Sequence, residues 1–163
     1  MLGRMKMVVF IVAMLYMGAC NQDDRSGASE VIAPENEVEA AVVSVVVSGE
    51  GDTYTFNVGV SSPDTGCDQY ANWWEIVSED GTLMYRRILA HSHVNEQPFV
   101  RSGSTMNINA NQEVIVRVHM NTTGYSVKGY KGSVANGFAE FLISEDFASE
   151  LANQSPQPDG CAF

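Results

Sequence analysis

From Tyr54 to Val60 the chain alternates without a break: Tyr54, Phe56, Val58 and Val60 share one face, and Thr55, Asn57 and Gly59 share the other. A period of two marks a β-strand with one buried face. Before it, the β-branched run AAVVSVVVS at 40–48 predicts a first strand, closed by Gly-Glu-Gly-Asp. After it, Ser-Pro-Asp-Thr-Gly at 62–66 turns the chain, and YANWWEIVS at 70–78 predicts a third strand. TLMYRRILA at 82–90 predicts a fourth, reached through Glu79-Asp80-Gly81. The Asp-Gly pair favours a tight hairpin, so strands three and four pair antiparallel.

Pro98 lacks a backbone donor and predicts an edge or a crossover. MNINA at 106–110 predicts a short strand, and QEVIVRVHMN at 112–121 a clear one. In the latter, Val114, Val116, Val118 and Met120 face in, while Ile115, Arg117 and His119 face the other way. Residues 121–137 read as a long loop, and FAEFLIS at 138–144 as a last strand. Ser144 followed by Glu145 and Asp146 predicts the start of a short helix over EDFASELA, with Phe147 and Leu151 on one face. Seven to eight short strands with at most one C-terminal helix predict an all-β fold over 40–163. The pattern resembles an antiparallel immunoglobulin or fibronectin type III sandwich, which implies that Trp73 and Trp74 on the third strand are buried. The stretches 66–103 and 114–125 also resemble a group of small exported bacterial proteins that carry no assigned activity. That likeness implies a fold and no function.

Ahead of the domain, Arg4 and Lys6 precede an apolar run, MVVFIVAMLYMGA, which ends at Cys20. The run is shorter than the ~20 residues of a comfortable membrane span. Gly18 and Ala19 before Cys20 resemble the lipobox of bacterial lipoprotein signal peptides, with Met17 in place of the usual leucine. The resemblance implies a signal peptide over 1–19 and lipidation of Cys20, hence attachment to a membrane. Residues 20–39 are polar and acidic, and predict a disordered tether. Asn21 resembles the sorting position of outer-membrane lipoproteins, and Asp23 with Asp24 resembles the acidic export signal of surface lipoproteins in the Bacteroidetes. The expected address is therefore the cell envelope, in a bacterial outer membrane facing the periplasm or the surface. With Cys20 lipidated, Cys67 and Cys161 remain, and an oxidising compartment favours their pairing as a disulfide. A reactive or metal-binding pair is the alternative, without a C-x-x-C spacing to support it.

The formal net charge is −11, and becomes −13 once Arg4 and Lys6 leave with the signal. Nucleic acid is excluded as a partner for such a chain. Basic residues nevertheless gather in one window: Arg86, Arg87, Arg101, Arg117, Lys128 and Lys131, against Glu96 and Glu113. They predict either a patch for an anionic glycan or an acidic envelope protein, or cross-strand pairs with Glu75 and other carboxylates. The 121–137 loop mixes Tyr125 and Tyr130 with glycine, serine, asparagine and lysine, as binding loops do. Tyr125, Lys128, Tyr130 and Lys131, with Arg87 and Arg117, form the predicted ligand-binding set.

The chain lacks a nucleophile elbow, a phosphate loop, H-E-x-x-H and an EF-hand loop. The expectation is a non-enzymatic module without a cofactor. The alternative is a copper or zinc protein using His91, His93 and His119. In an extended strand His91 and His93 point the same way about 6.6 Å apart. His119 lies two strand spacings off if the third strand separates it from the fourth. The plainer reading is that His91, His93 and Glu96 make local hydrogen bonds where the chain leaves the sheet.

Overall fold

The computed structural model describes residues 39–162. The expected signal peptide, Cys20 and the expected tether up to residue 38 lie outside the described residues. The domain is all-β, with strands β1 (Ala41–Glu50), β2 (Thr53–Ser61), β3 (Ala71–Ser78), β4 (Leu83–Ile88) and β5 (Phe99–Ser102). After these come β6 (Met106–Asn107), β7 (Val114–Met120), β8 (Gly124–Tyr125), β9 (Lys128–Ser133) and β10 (Gly137–Leu142). A 3-10 turn, Ser149–Asn153, replaces the predicted helix. Only Leu151 of that turn is buried, so one short turn suffices to cover it.

The strands run in one hydrogen-bonded path, β4-β3-β7-β9-β1-β2-β5, with β10 beside β9, β6 beside β2 and β8 beside β7. All pairings are antiparallel except Ala41 opposite Lys128, where β1 meets β9 in parallel. The path folds on itself like a sandwich or barrel. Phe56, Val58 and Val60 of β2 then share one core with Trp74 and Ile76 of β3 and with Val114, Val116, Val118 and Met120 of β7. The expected hairpin is present: Gly81 takes a φ of 87°, which suits a residue without Cβ, and Asp80 accepts from the Thr82 amide at 3.1 Å. As expected, β3 lies between β4 and β7. Two expectations fail. Ten strands replace seven to eight, and the long loop at 121–137 is instead β8, β9 and the start of β10. Glycines at 124, 129, 132 and 137 and two lysines weaken strand propensity there. Pairing with β7 and β10 supplies the backbone bonds that overrule it.

Every residue of β7, and every residue of β3 up to Val77, is buried. Both faces are therefore covered, which alternation alone did not foretell. The inner face meets β2. The outer face is covered by residues 147–156 and by Tyr125 of β8. The end of the chain is fixed by a disulfide between Cys67 and Cys161, 94 residues apart in sequence. The Ala162 amide also donates to the Ala90 carbonyl at 2.5 Å.

Candidate functional site

The outer face of β3 is built around Glu75, which is 0% exposed. Register places Glu75 opposite Arg86 of β4 on one side and Arg117 of β7 on the other. Arg86 Nε donates to Glu75 Oε2 at 2.8 Å, and Arg117 Nε donates to Oε1 at 2.9 Å. Two guanidiniums thus share one carboxylate away from water. Their other N–H groups reach backbone carbonyls of the C-terminal segment. Arg117 donates to Phe147 and Ala148 at 2.5 and 2.9 Å, and Arg86 to Leu151, Gln154 and Pro156 at 2.6, 2.5 and 3.0 Å. A buried ion pair is favourable only when such extra bonds satisfy the remaining donors. Here they do, and the same bonds hold the segment against the sheet.

Aromatic rings close the arrangement. Arg86 lies over Trp73 at 4.4 Å, Trp73 stacks on His119 at 3.7 Å, and the edge of Tyr125 meets His119 at 4.8 Å. Arg117 lies over the Tyr125 ring at 3.5 Å, and the Tyr125 hydroxyl accepts from Arg86 Nη2 at 3.2 Å. Burial is the main reason that the Tyr125 hydroxyl is pushed up to about 12, with the Glu75 carboxylate adding to it.

His119 is 9% exposed. Its Nδ1 meets Asn72 Oδ1 at 2.7 Å and donates to it, so the neutral ring presents Nε2 as an acceptor. Nε2 has no hydrogen-bond partner among the described residues, yet it is not among the nitrogens sealed from solvent. Burial, then the Arg86 and Arg117 charges, lower the imidazole to about 4. The ring is neutral across ordinary pH. Because its folded value lies below the unfolded one, the unfolded chain binds the proton first as pH falls. Stability from this group is therefore intact above about 6.5 and is lost from there down through about 4. Urea unfolding midpoints between those limits are expected to fall with pH. They should fall less steeply in His119→Phe, which cannot protonate; an unchanged slope would remove His119 from the account. His93, also lowered by burial, supplies the residual slope.

Beside His119 opens a cleft of about 750 Å³. Its walls are the end of β7 with the turn into β8, the loop before β3, and the C-terminal segment, represented by Met120, Thr123, Tyr125, Gln69, Glu145 and Ser149. The volume is that of small-molecule sites.

The predicted ligand-binding set is not brought together. Of its six members only Tyr125 lines the cleft. Arg117 is buried in the ion triad, and Lys131 pairs with Glu79 at 2.6 Å. Lys128 meets Glu39 at 3.8 Å. The Tyr130 hydroxyl donates to the Val43 carbonyl at 2.9 Å, and Arg87 donates to the Ser102 and Ile88 carbonyls, both at 3.1 Å. Cross-strand pairing with Glu75 takes up Arg86 and Arg117 of the basic window, while Arg87 and Lys128 stay exposed.

The metal alternative fails on geometry. No group of three or more histidine, cysteine, aspartate or glutamate residues that could hold an ion occurs among the described residues. Strand β4 ends at Ile88, so His91 and His93 are not on an extended strand. The His93 ring turns under the loop instead, stacked on Phe99 at 3.7 Å with Nδ1 3.8 Å from Asp64 Oδ2. His119 is held in the Trp73 and Tyr125 stack. The corner is held by backbone and by Glu96 and not by the imidazoles of the plainer reading: the His93 amide donates to Asp64 at 2.8 Å, the Glu96 amide to the His93 carbonyl at 3.1 Å, and Arg101 to Glu96 at 2.7 Å, while both ring nitrogens of His93 are buried without a hydrogen-bond partner among the described residues. Of the residues that form the site, Asn72 carries no sequence signal of its own. Glu75 opposite Arg86 was legible from the hairpin.

No family model matches the chain, and no solved structure does, so the immunoglobulin and fibronectin likeness rests on the sequence pattern alone. The chain is similar to a protein of Halomicrobium mukohataei named "Putative lipoprotein", with 33% identity over 121 residues. The match covers 74% of this chain and 55% of that protein, so the chain spans about half the length of the curated relative it matches.

Proposed function

We propose that this is a lipid-anchored protein of the cell envelope whose β-domain is a non-enzymatic module that binds a small ligand. Cys20 behind its apolar run supports the anchor, as does the printed name of the Halomicrobium relative. An outer-membrane address, facing the periplasm or the surface, is the finer reading, carried by Asn21, Asp23 and Asp24. The observation that carries the binding role is the cleft lined by His119, a ring with Nδ1 already bonded to Asn72 and Nε2 left without a partner among the described residues. Fixed polar groups on rigid strands, beside aromatic rings, are the features of a preformed ligand site. Among the described residues no serine or cysteine is hydrogen-bonded to the His119 ring, whose Nδ1 is held by Asn72, and its role is therefore that of a fixed hydrogen-bond acceptor.

A thermal-shift screen of small metabolites against the full-length chain tests this. At least one compound is expected to raise the unfolding temperature, since a ligand at about 100 times its Kd adds ~2.7 kcal/mol. Ser149→Trp, an exposed cleft position, should cancel the shift without lowering the unliganded midpoint. A screen with no stabilising compound, or shifts that survive Ser149→Trp, would defeat the proposal.

A further inference from the structure

Among the described residues, the charged side chains that line the cleft are carboxylates. We infer that its ligand is a small amine with a second hydrogen-bond donor, such as an amino alcohol or a diamine, its ammonium at Glu39 and Glu145 and its second donor on His119 Nε2. This rests on the cleft being a binding site.

Three observations lead there. The charged side chains that line the cleft are Glu39 and Glu145, both carboxylates. The Glu39 contact with Lys128 is 3.8 Å long and both side chains are more than half exposed, so a ligand displaces it at small cost. Next, His119 is nine-tenths buried with Nδ1 spent on Asn72, which leaves Nε2 able only to accept. Nε2 has no protein partner among the described residues and stays open to solvent, so an N–H or O–H donor of a ligand can take the place of water on it. Finally, the cations about the cleft are engaged: Lys128 lies at the mouth beside Glu39, and two arginines stand behind the rings. The Arg86 and Arg117 donors are committed to Glu75, to Tyr125 and to backbone carbonyls. An anionic ligand would meet two carboxylates and a lone pair, with Lys128 at the mouth to offset one of the carboxylates.

The triad of two arginines and one glutamate keeps one excess positive charge behind the rings. That charge opposes an ammonium deep in the cleft and favours one at the mouth, beside the carboxylates. The deeper contact is then a neutral donor, which is why a second donor belongs in the ligand class. Tyr125, Met120 and Ala152 line the cleft for the short hydrocarbon between the two groups.

Ethanolamine and putrescine, titrated into the full-length chain at low salt, test the inference against glycerol and succinate as polyol and anion. Either amine is expected to saturate one site by calorimetry. The tryptophan fluorescence should change with the same midpoint, because Trp73 stacks on His119. Glu145→Gln, at an exposed position, and His119→Phe, which retains a ring against Trp73, should each weaken amine affinity about tenfold, ~1.4 kcal/mol. Saturation by glycerol or succinate but by neither amine overturns the amine class and leaves the cleft a binding site. Amine binding that does not saturate, or that both variants retain in full, shows only attraction to an acidic chain and also overturns it. Silence from all four probes overturns the amine class, and joined to an empty metabolite screen it defeats the binding role too.

Discussion

Glu75→Ala is expected to lower the stability of the domain by about 3–5 kcal/mol, the largest effect of any single substitution considered. Two guanidiniums, from Arg86 and Arg117, would lose their shared carboxylate in a place where water does not replace it. An uncompensated buried charge costs more than the pair ever contributed. In many proteins a buried ion pair can be exchanged for apolar residues at little loss. Here that route is closed. Replacing Glu75, Arg86 and Arg117 together by methionine would remove the charges but take an arginine donor from five backbone carbonyls between Phe147 and Pro156, of which those of Phe147 and Pro156 keep no other donor among the described residues. The triple variant should therefore remain destabilised, with residues 147–156 losing protection in hydrogen exchange. Urea unfolding of both variants is the measurement. A Glu75→Ala protein within about 1 kcal/mol of the parent would show that the triad is not buried as described.

The second large effect is that of the disulfide. Cys67→Ser with Cys161→Ser opens a loop of 94 residues, for which the chain-entropy account gives about 4–5 kcal/mol as an upper figure. Both cysteines are replaced so that neither can pair with Cys20. The loss should divide unevenly along the chain. Residues 147–156 remain held by the two arginines, whereas beyond Pro156 the described backbone bonds include that of Ala162 to Ala90. Residues 157–162 are thus expected to become the first site of proteolysis, before the global transition. Cleavage there at the parent rate would mean that the disulfide holds nothing that the remaining contacts do not.

Both effects live on the C-terminal segment, and that segment was poorly legible. EDFASELA has helical spacing at Phe147 and Leu151 but adopts one 3-10 turn, in which the Ala148 and Leu151 carbonyls accept both from amides three residues on and from the arginines of the sheet. The 121–137 stretch misleads for the opposite reason. Its glycines and lysines look like a loop, yet neighbours on both sides supply a ladder. The candidate cleft is made of three stretches distant in sequence, so no spacing rule could reveal it.

What the sequence determined by itself is the local part. Period-two alternation identifies β2 and β7, a run between two turns marks β3, the Asp-Gly turn pairs β3 with β4, and that hairpin brings Glu75 opposite Arg86. The pairing of Cys67 with Cys161 was legible from the cysteine count. Tertiary structure alone decided that Arg117 joins Glu75 from the other side and that His119 lies beside Asn72 instead of beside His91 and His93. It also decided that the polar face of β7 is buried. Alternation records a buried face only where the opposite face is wet. On β3 and β7 both faces are dry, and whether a charged residue there meets water or a partner depends on what the rest of the chain lays over it.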